Sequence, residues 1–312
     1  MAKMRVALLA GGVSGEREVS LRGAEAVAAA LDPEKFTVRR FDPAHDLAAL
    51  AAARDEIDFA FIILHGVGGE DGTLQGMLDL LRIPYQGSGV LGSAIAMDKD
   101  LAKELYKAAG LPVADWVTLA PGEKADAGAI IARLGLPVVV KPVHEGSSLG
   151  MSIARDAAAL LAGIDRAGGG KRAVMVERFI PGRELTVGVI GNDGLEALPV
   201  IEVIPGPGHE LFDYKAKYQP GATDEICPAQ VTDTIRDQAQ EYAIRAHKAL
   251  RLSGYSRTDM RLDLDGNFYL LETNTIPGMT ATSLLPRMAA VHGFSFADFL
   301  ERLIQLGMEK PL

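Results

Sequence analysis

Arg257-Thr-Asp259-Met-Arg-Leu-Asp-Leu-Asp265-Gly266-Asn-Phe-Tyr-Leu-Leu-Glu272-Thr-Asn274 reads as two strands joined by a tight turn. Asp-Gly between such runs is a strong two-residue hairpin signal. With 265 and 266 as the loop, paired positions sum to 531, so Asp259 faces Glu272 and Arg257 faces Asn274. Side chains alternate faces along a strand, which sends Glu272 and Asn274 out on the same side. Three oxygen donors then converge. Directly opposed carboxylates destabilise a ladder by up to about 1 kcal/mol, and a hard divalent cation would turn that repulsion into attraction. Mg2+ is the expected ion. It is held by one or two carboxylates plus substrate phosphates, so the hairpin predicts a nucleotide as well as a metal. A solvated hairpin with scattered acids is the alternative.

The 312 residues, 48% hydrophobic and 23% charged, are enough for two or three domains with substantial cores. A net charge of -9 and a pI near 5.2 argue against nucleic acid or an anionic membrane as partner, while leaving room for a local basic pocket that takes phosphates. With a single cysteine, Cys227, there is no internal disulfide, which suits a reducing, cytoplasmic location. Beside Pro228 and without a catalytic signature, that thiol is expected to be inert. The apolar start is short and runs into Gly15-Glu16-Arg17-Glu18, so it reads as a strand entering a loop rather than a signal peptide. No segment approaches the length of a membrane span.

Strand and helix patterns alternate to about residue 95, which predicts a parallel, doubly wound α/β layer over residues 1–96. A second unit, 97–185, contains the strand Pro137-Val-Val-Val-Lys141, a Gly/Ser-rich loop at 145–150 and a strand ending at Glu177. The third, 186–312, holds a Gly/Pro-rich loop from 204 to 228, long enough to suggest an active-site lid, then an amphipathic helix, the hairpin, and a final helix opened by the box Ser295-Phe-Ala-Asp298.

Gly11-Gly-Val-Ser-Gly15 follows a strand, but its spacing is wrong for a dinucleotide fingerprint. Glu16 would repel a pyrophosphate there and suits an ammonium group, or simply an acidic first helical turn. Lys141 with Glu145-Gly-Ser147-Ser148-Leu-Gly150 combines a cation with small residues that let amides approach phosphates, and Lys99 adds a second cation; a solvated lysine beside a flexible loop is the alternative. Glu177 and Glu184 flank a turn and could accept from ribose or adenine, or be surface acids. Gly278 permits close backbone approach, and Thr282 or Ser283 could cap a helix whose free amides favour a carboxylate. His65 ends a predicted parallel strand, where open α/β sheets place ligands, although a loop histidine without function fits too.

Taken together, Gly11-Gly-Val-Ser-Gly-Glu16-Arg-Glu-Val-Ser20, His65-Gly, Gly69-Glu-Asp-Gly-Thr-Leu-Gln-Gly76, Met97-Asp-Lys99, Lys141-Pro, Glu145-Gly-Ser-Ser148, Asp213-Tyr-Lys-Ala-Lys-Tyr218 and Glu272-Thr-Asn-Thr-Ile-Pro-Gly-Met-Thr280 resemble the D-alanine-D-alanine ligases of the ATP-grasp superfamily. The resemblance spans nearly the whole chain, in family order. It implies a two-part ATP-grasp fold after the first domain, ATP and two D-alanines as substrates, two Mg2+ ions with Mn2+ as a substitute, and a homodimer. Asp259, Glu272 and Asn274 look like the metal ligands. Lys99 and Lys141 match phosphate-binding lysines, with Glu145, Ser147, Ser148 and Lys217 near the nucleotide. Glu177 and Glu184 match adenine and ribose contacts, and Arg178 and Ile180 hinge backbone positions. Glu16 matches the residue that receives the first D-alanine's ammonium, with His65 near its carboxylate. Arg257 and the Gly278 amide resemble an oxyanion-stabilising pair, and Ser283 and Leu284 the seat of the second carboxylate. Ser147 and Tyr218 match partners of Glu16 in a triad joining central loop and lid to the first domain. Two positions depart from the pattern: Arg178 where lysine is common, and Phe212 where some members have tyrosine. The readings set against this one are a related ligase making a D-alanyl-D-lactate ester, a nicotinamide-dependent oxidoreductase and a non-catalytic nucleotide sensor.

Overall fold

The computed structural model describes residues 2–146, 149–206 and 223–310. Strands β1 (Met4–Ala10), β2 (Phe36–Phe41) and β3 (Phe59–Ile63) pair in parallel in the order β2-β1-β3, and Tyr85 adds a single parallel bridge to Ala60. β3 is apolar at every position because helices cover both of its faces. Val6, Leu8, Phe59 and Phe61 face α1 (Arg17–Ala30), whereas Ala7, Leu9, Ala60 and Ile62 face α2 (Leu47–Ala52) and α3 (Thr73–Leu81). This is the doubly wound layer that the alternation predicts. Helices α4 (Val90–Met97) and α5 (Lys99–Ala108) lead out of it, α5 capped by the Asp98 carboxylate, which accepts from the amides of Asp100 and Leu101.

The second sheet is antiparallel, in the order β4-β7-β5-β6, from β4 (Trp116–Leu119), β5 (Val138–Pro142), β6 (Ser152–Ala154) and β7 (Val174–Arg178). Val138, Val140, Val174 and Val176 bury one face under α6 (Ala127–Leu134) and α7 (Ala157–Arg166). Alternation therefore sends Val139, Lys141 and Glu177 to the other face. The third sheet contains β8 (Arg183–Gly191), β9 (Glu196–Ala197), β10 (Ile201–Pro205), β11 (Thr223–Ile226), β12 (Gly254–Leu262) and β13 (Phe268–Asn274), ordered β11-β10-β8-β12-β13 with β9 also on β8. Leu185, Val187, Met260, Leu262 and Phe268 pack one face against α8 (Asp233–Ala249). Two helices follow, α9 (Leu284–His292) and α10 (Phe296–Met308); Phe299, Leu300, Leu303 and Ile304 of α10 join the core of the first sheet. Among the described residues no helix is long and apolar enough to cross a membrane.

Two expectations are corrected here. The loop assigned to 204–228 is shorter: Val203, Ile204 and Pro205 pair with Glu225, Asp224 and Thr223, so sheet extends into both of its ends. The hairpin turn holds three residues rather than two. Asp263 donates its amide to Asn267 O at 2.9 Å, its carboxylate accepts from the amides of Asp265 and Asn267, and Gly266 takes φ +84. Near the turn, pairs such as Leu262 with Phe268 therefore sum to 530. A bulge between Asp259 and Met260 adds one residue, and beyond it Asp259 pairs with Glu272 and Arg257 with Asn274, as expected.

Candidate functional site

The bulge decides which way the hairpin's polar end points. Phe268 and Leu270 face the core. Glu272 and Asn274 share their parity, so a regular strand would bury both carboxylate and amide beside them. One extra residue reverses the alternation: Thr273 goes inside, bonded at 2.6 Å to the Tyr106 hydroxyl, and Glu272 and Asn274 come out beside Asp259 and Arg257.

The exposed face of this hairpin is the floor of two adjoining clefts. The first lies between the second and third sheets and is lined by Lys99, Lys141, Glu145, Glu177, Arg178, Ile180, Glu184, Asp259 and Glu272. The second opens toward the first domain and is lined by Glu16, His65, Arg257, Asn274, Gly278, Ser283 and Leu284. A small pocket bordered by Glu70, Lys99, Glu272 and Asn274 adjoins both. Every described residue to which the family resemblance gives a site role thus lies in one cleft or the other. Ser147, Ser148, Lys217 and Tyr218, with Phe212, lie outside the described residues.

Each hairpin carboxylate has its own protein cation. Asp259 accepts from Arg257 Nε and Nη2 at 2.8 and 2.7 Å, from Thr186 Oγ1 at 2.5 Å and from Asn274 Nδ2 at 3.0 Å. Glu272 Oε2 lies 3.3 Å from Lys99 Nζ, which also donates to the Glu145 carbonyl at 2.7 Å. The repulsion inferred from the register is therefore already offset by Arg257 and Lys99. Among the described residues no three His, Cys, Asp or Glu side chains converge as a metal cage. Two carboxylates and an amide nevertheless fit Mg2+, which completes its shell with phosphate oxygens and water.

In the first cleft, burial works to raise the pKa of Glu177, but Lys103 and Lys141 each donate to one of its oxygens, at 2.8 and 2.5 Å, and hold it down to about 2. Arg261 pairs with Glu184 at 3.3 Å and donates to the carbonyls of Ile180 and Gly182 at 3.2 and 2.8 Å, tying the hinge to the third sheet. In the second cleft, His65 donates from Nδ1 to the Ile276 carbonyl at 2.9 Å, leaving Nε2 buried without a partner, and burial pushes its pKa down. Glu16 is buried, and a side chain at Gly146 would put Cβ 2.6 Å from its Oε2, so the central loop meets the first domain at this carboxylate. Ser283 precedes α9, yet its Oγ accepts from Thr280 N at 3.1 Å and makes no side-chain cap to its own helix.

Sequence reasoning passes over four participants. Glu70 accepts from the amides of Gly66 and Ile276 at 2.8 and 3.3 Å, and burial, reinforced by Glu16, raises its pKa to about 8. Its place in Gly69-Glu-Asp-Gly is the available signal. Lys103, Arg261 and Thr186 carry none, because their partners are distant in sequence. Cys227, expected inert, has its thiol pKa pushed up by burial.

Family models described as D-ala D-ala ligase C-terminus and N-terminus match residues 105–305 and 42–88. The chain is 61% identical over 309 residues to a D-alanine--D-alanine ligase of Desulfotalea psychrophila, covering 99% of this chain and 96% of that one. It is 57% identical to the corresponding ligase of Syntrophobacter fumaroxidans, covering 98% of each. Among solved structures, the Bacillus anthracis D-alanine--D-alanine ligase complexed with ATP superposes with a TM-score of 0.86 at 32% identity, covering 98% and 97% of the two chains. A D-Ala:D-Ser ligase from Enterococcus faecalis superposes with a TM-score of 0.84 at 33% identity, covering 98% and 100%.

Proposed function

The chain belongs to the D-alanine-D-alanine ligase family, whose ATP- and Mg2+-dependent reaction makes a peptidoglycan precursor, and from that premise we propose how its own residues divide the work. One D-alanine carboxylate attacks the ATP γ-phosphate to give an acyl phosphate and ADP. The second D-alanine's amine then attacks the acyl carbon, and phosphate leaves. The oxidoreductase and sensor readings fall with the family assignment. The observation that carries the division of labour is the shared floor: Asp259 and Glu272 open into one cleft and Arg257 and Asn274 into the other, on one face of one hairpin.

The nucleotide lies in the first cleft, with adenine at the Arg178–Ile180 hinge, ribose toward Glu184, and phosphates between Lys99 and Lys141. Asp259, Glu272 and Asn274 hold Mg2+, which neutralises charge on the transferring phosphoryl group when bound. The first D-alanine places its ammonium at Glu16. His65 can reach its carboxylate only as imidazolium, because Nδ1–H is committed to Ile276 and neutral Nε2 is an acceptor. An entering carboxylate supplies the negative charge that favours this protonation. The second carboxylate sits at the start of α9, whose first amides receive no cap from Ser283. Arg257 and the Gly278 amide stabilise the oxyanion. Ser147 and Tyr218 complete the link from Glu16 to loop and lid. The first two units divide at 96/97; the expected division at 185/186 moves to the start of β8, because Arg183–Gly191 belongs whole to the third sheet. The enzyme works in the cytoplasm as a homodimer, a state that light scattering would verify.

The test is purified protein with ATP, Mg2+ and D-alanine, followed by mass detection of the dipeptide and assay of phosphate. One dipeptide per phosphate is expected, with no turnover on L-alanine. ATP binding with no dipeptide would overturn the reading.

A further inference from the structure

We propose that Lys103, which does not line the nucleotide cleft, is a positioning residue for ATP: by sharing the charge of Glu177 it leaves Lys141 with net positive charge to offer the phosphates. This rests on the reading above that places phosphates at Lys141.

Lys103 is 0% exposed and Glu177 3%, so this ion cluster is withdrawn from water almost completely. A buried ammonium is unfavourable unless paired, and such pairs are often replaceable by apolar side chains. Its presence therefore calls for a role. Lys103 lies four residues after Lys99 on α5, so both ammonium groups leave the same side of that helix. Lys99 reaches Glu272 and the Glu145 carbonyl; Lys103 reaches only inward, to Glu177 Oε2 at 2.8 Å, with the Trp116 ring centroid 5.1 Å from its Nζ. Lys141 holds the other oxygen at 2.5 Å.

Charge counting supplies the role. Lys141 and Glu177 alone would form a closed pair of net charge zero, facing a polyanion with no attraction. With Lys103 behind the carboxylate, the trio carries one net positive charge; Asp115, the other acid acting on Lys103, is exposed, so water screens it from the cleft. Only Lys141 and Glu177 of the three border the cleft, so Lys103 acts through them.

The experiment is equilibrium binding of Mg-ATP and of adenosine to folded wild type, Lys141→Met, Lys103→Met, Lys103→Arg and Lys103→Met/Glu177→Gln. Lys103→Met should weaken ATP on the order of tenfold while changing adenosine less than about twofold. Lys103→Arg should bind as wild type. The double variant returns the net charge to that of the trio, and its preference for ATP over adenosine should return with it. Parallel loss of ATP and adenosine would mean that Lys103 only supports the cleft, and overturns the proposal. Unchanged ATP affinity in Lys103→Met, with Lys141→Met weakened, overturns it too. Unchanged ATP affinity in Lys141→Met overturns the phosphate placement and this inference together. Should Lys103→Met fail to fold, the double variant decides alone: wild-type preference for ATP supports the proposal, and a tenfold lower preference refutes it.

Discussion

At the scale of single residues, the pairing of Asp259 with Arg257 changes the sign of an expectation. From opposed carboxylates alone, Asp259→Asn would relieve repulsion and stabilise the apoprotein. In the structure Arg257 and Asp259 are both buried and joined by two hydrogen bonds, so neutralising the acid strands a buried guanidinium. We expect Asp259→Asn to lower stability by about 1–3 kcal/mol and to raise the Mg2+ concentration needed for ATP turnover; denaturant titration and metal titration check each half. His247 gives a second prediction. Buried against Ser256 at 2.8 Å with Nε2 unpartnered, it has its pKa pushed down to about 4 by desolvation. A depressed folded-state pKa contributes stability that is present above the unfolded value near 6.5 and is lost as pH falls toward 4. His247→Gln should flatten the stability profile across that window by up to roughly 3 kcal/mol, and an unaltered slope would assign the acid sensitivity to other groups such as His65. Neither effect is legible in the sequence, because each depends on burial and on a partner that the local pattern does not name. The same holds for Lys103, which resembles any lysine on a polar helix until Glu177, 74 residues away, is seen beside it.

At the scale of the element, the hairpin register at Asp259 and Glu272 is legible in the sequence, but through two errors that cancel. The Asp-Gly signal makes the turn one residue too short, and it is blind to the bulge. The missed signal is parity: Phe268 and Leu270 alternate as core residues, and Glu272 and Asn274 continue the same even count into a face that must be polar. A regular strand cannot satisfy both. Deleting Leu271 would close the bulge while keeping Asp259 opposite Glu272, so the variant should fold and retain the pairing. What it loses is the local kink that aims Glu272 into the cleft, and ATP affinity should fall while thermal stability changes little. The turn offers a cleaner measurement. Gly266 has φ +84, and a Cβ added there would meet open space, so Gly266→Ala isolates backbone strain. A loss of about 1–2 kcal/mol is expected, smaller for Gly266→Asn, and denaturant midpoints would resolve the order. The boundaries of β2 and α3 follow from the sequence because their period and flanking residues agree; the ends of the 204–228 loop do not, since Ile204 and Pro205 become sheet by pairing across the loop with Asp224 and Thr223.

At the scale of the whole molecule, sequence order and spatial order part company. The fold class is legible from alternation and motifs, but no local signal says that α10 returns to the opening layer, where Phe299, Leu300, Leu303 and Ile304 pack against Leu8, Phe59 and Phe61. Residues 1–96 expressed alone should therefore be largely unfolded or aggregated by circular dichroism and sedimentation, and Phe299→Ala in the full chain should remove about 3–5 kcal/mol. A soluble, cooperatively melting 1–96 fragment would refute this. The same arrangement sets a clock during synthesis. The sheet strands are complete by Ile63, whereas α10, which shares one face of the sheet with α1, starts at Phe296. At ribosomal speeds of about 5–20 residues per second, that face waits roughly ten seconds to most of a minute for the rest of its cover. For that interval the nascent chain carries an apolar sheet face covered by α1 alone, and a chaperone that shields emerging chains would have its main task here, on the first domain to appear and the last to be finished.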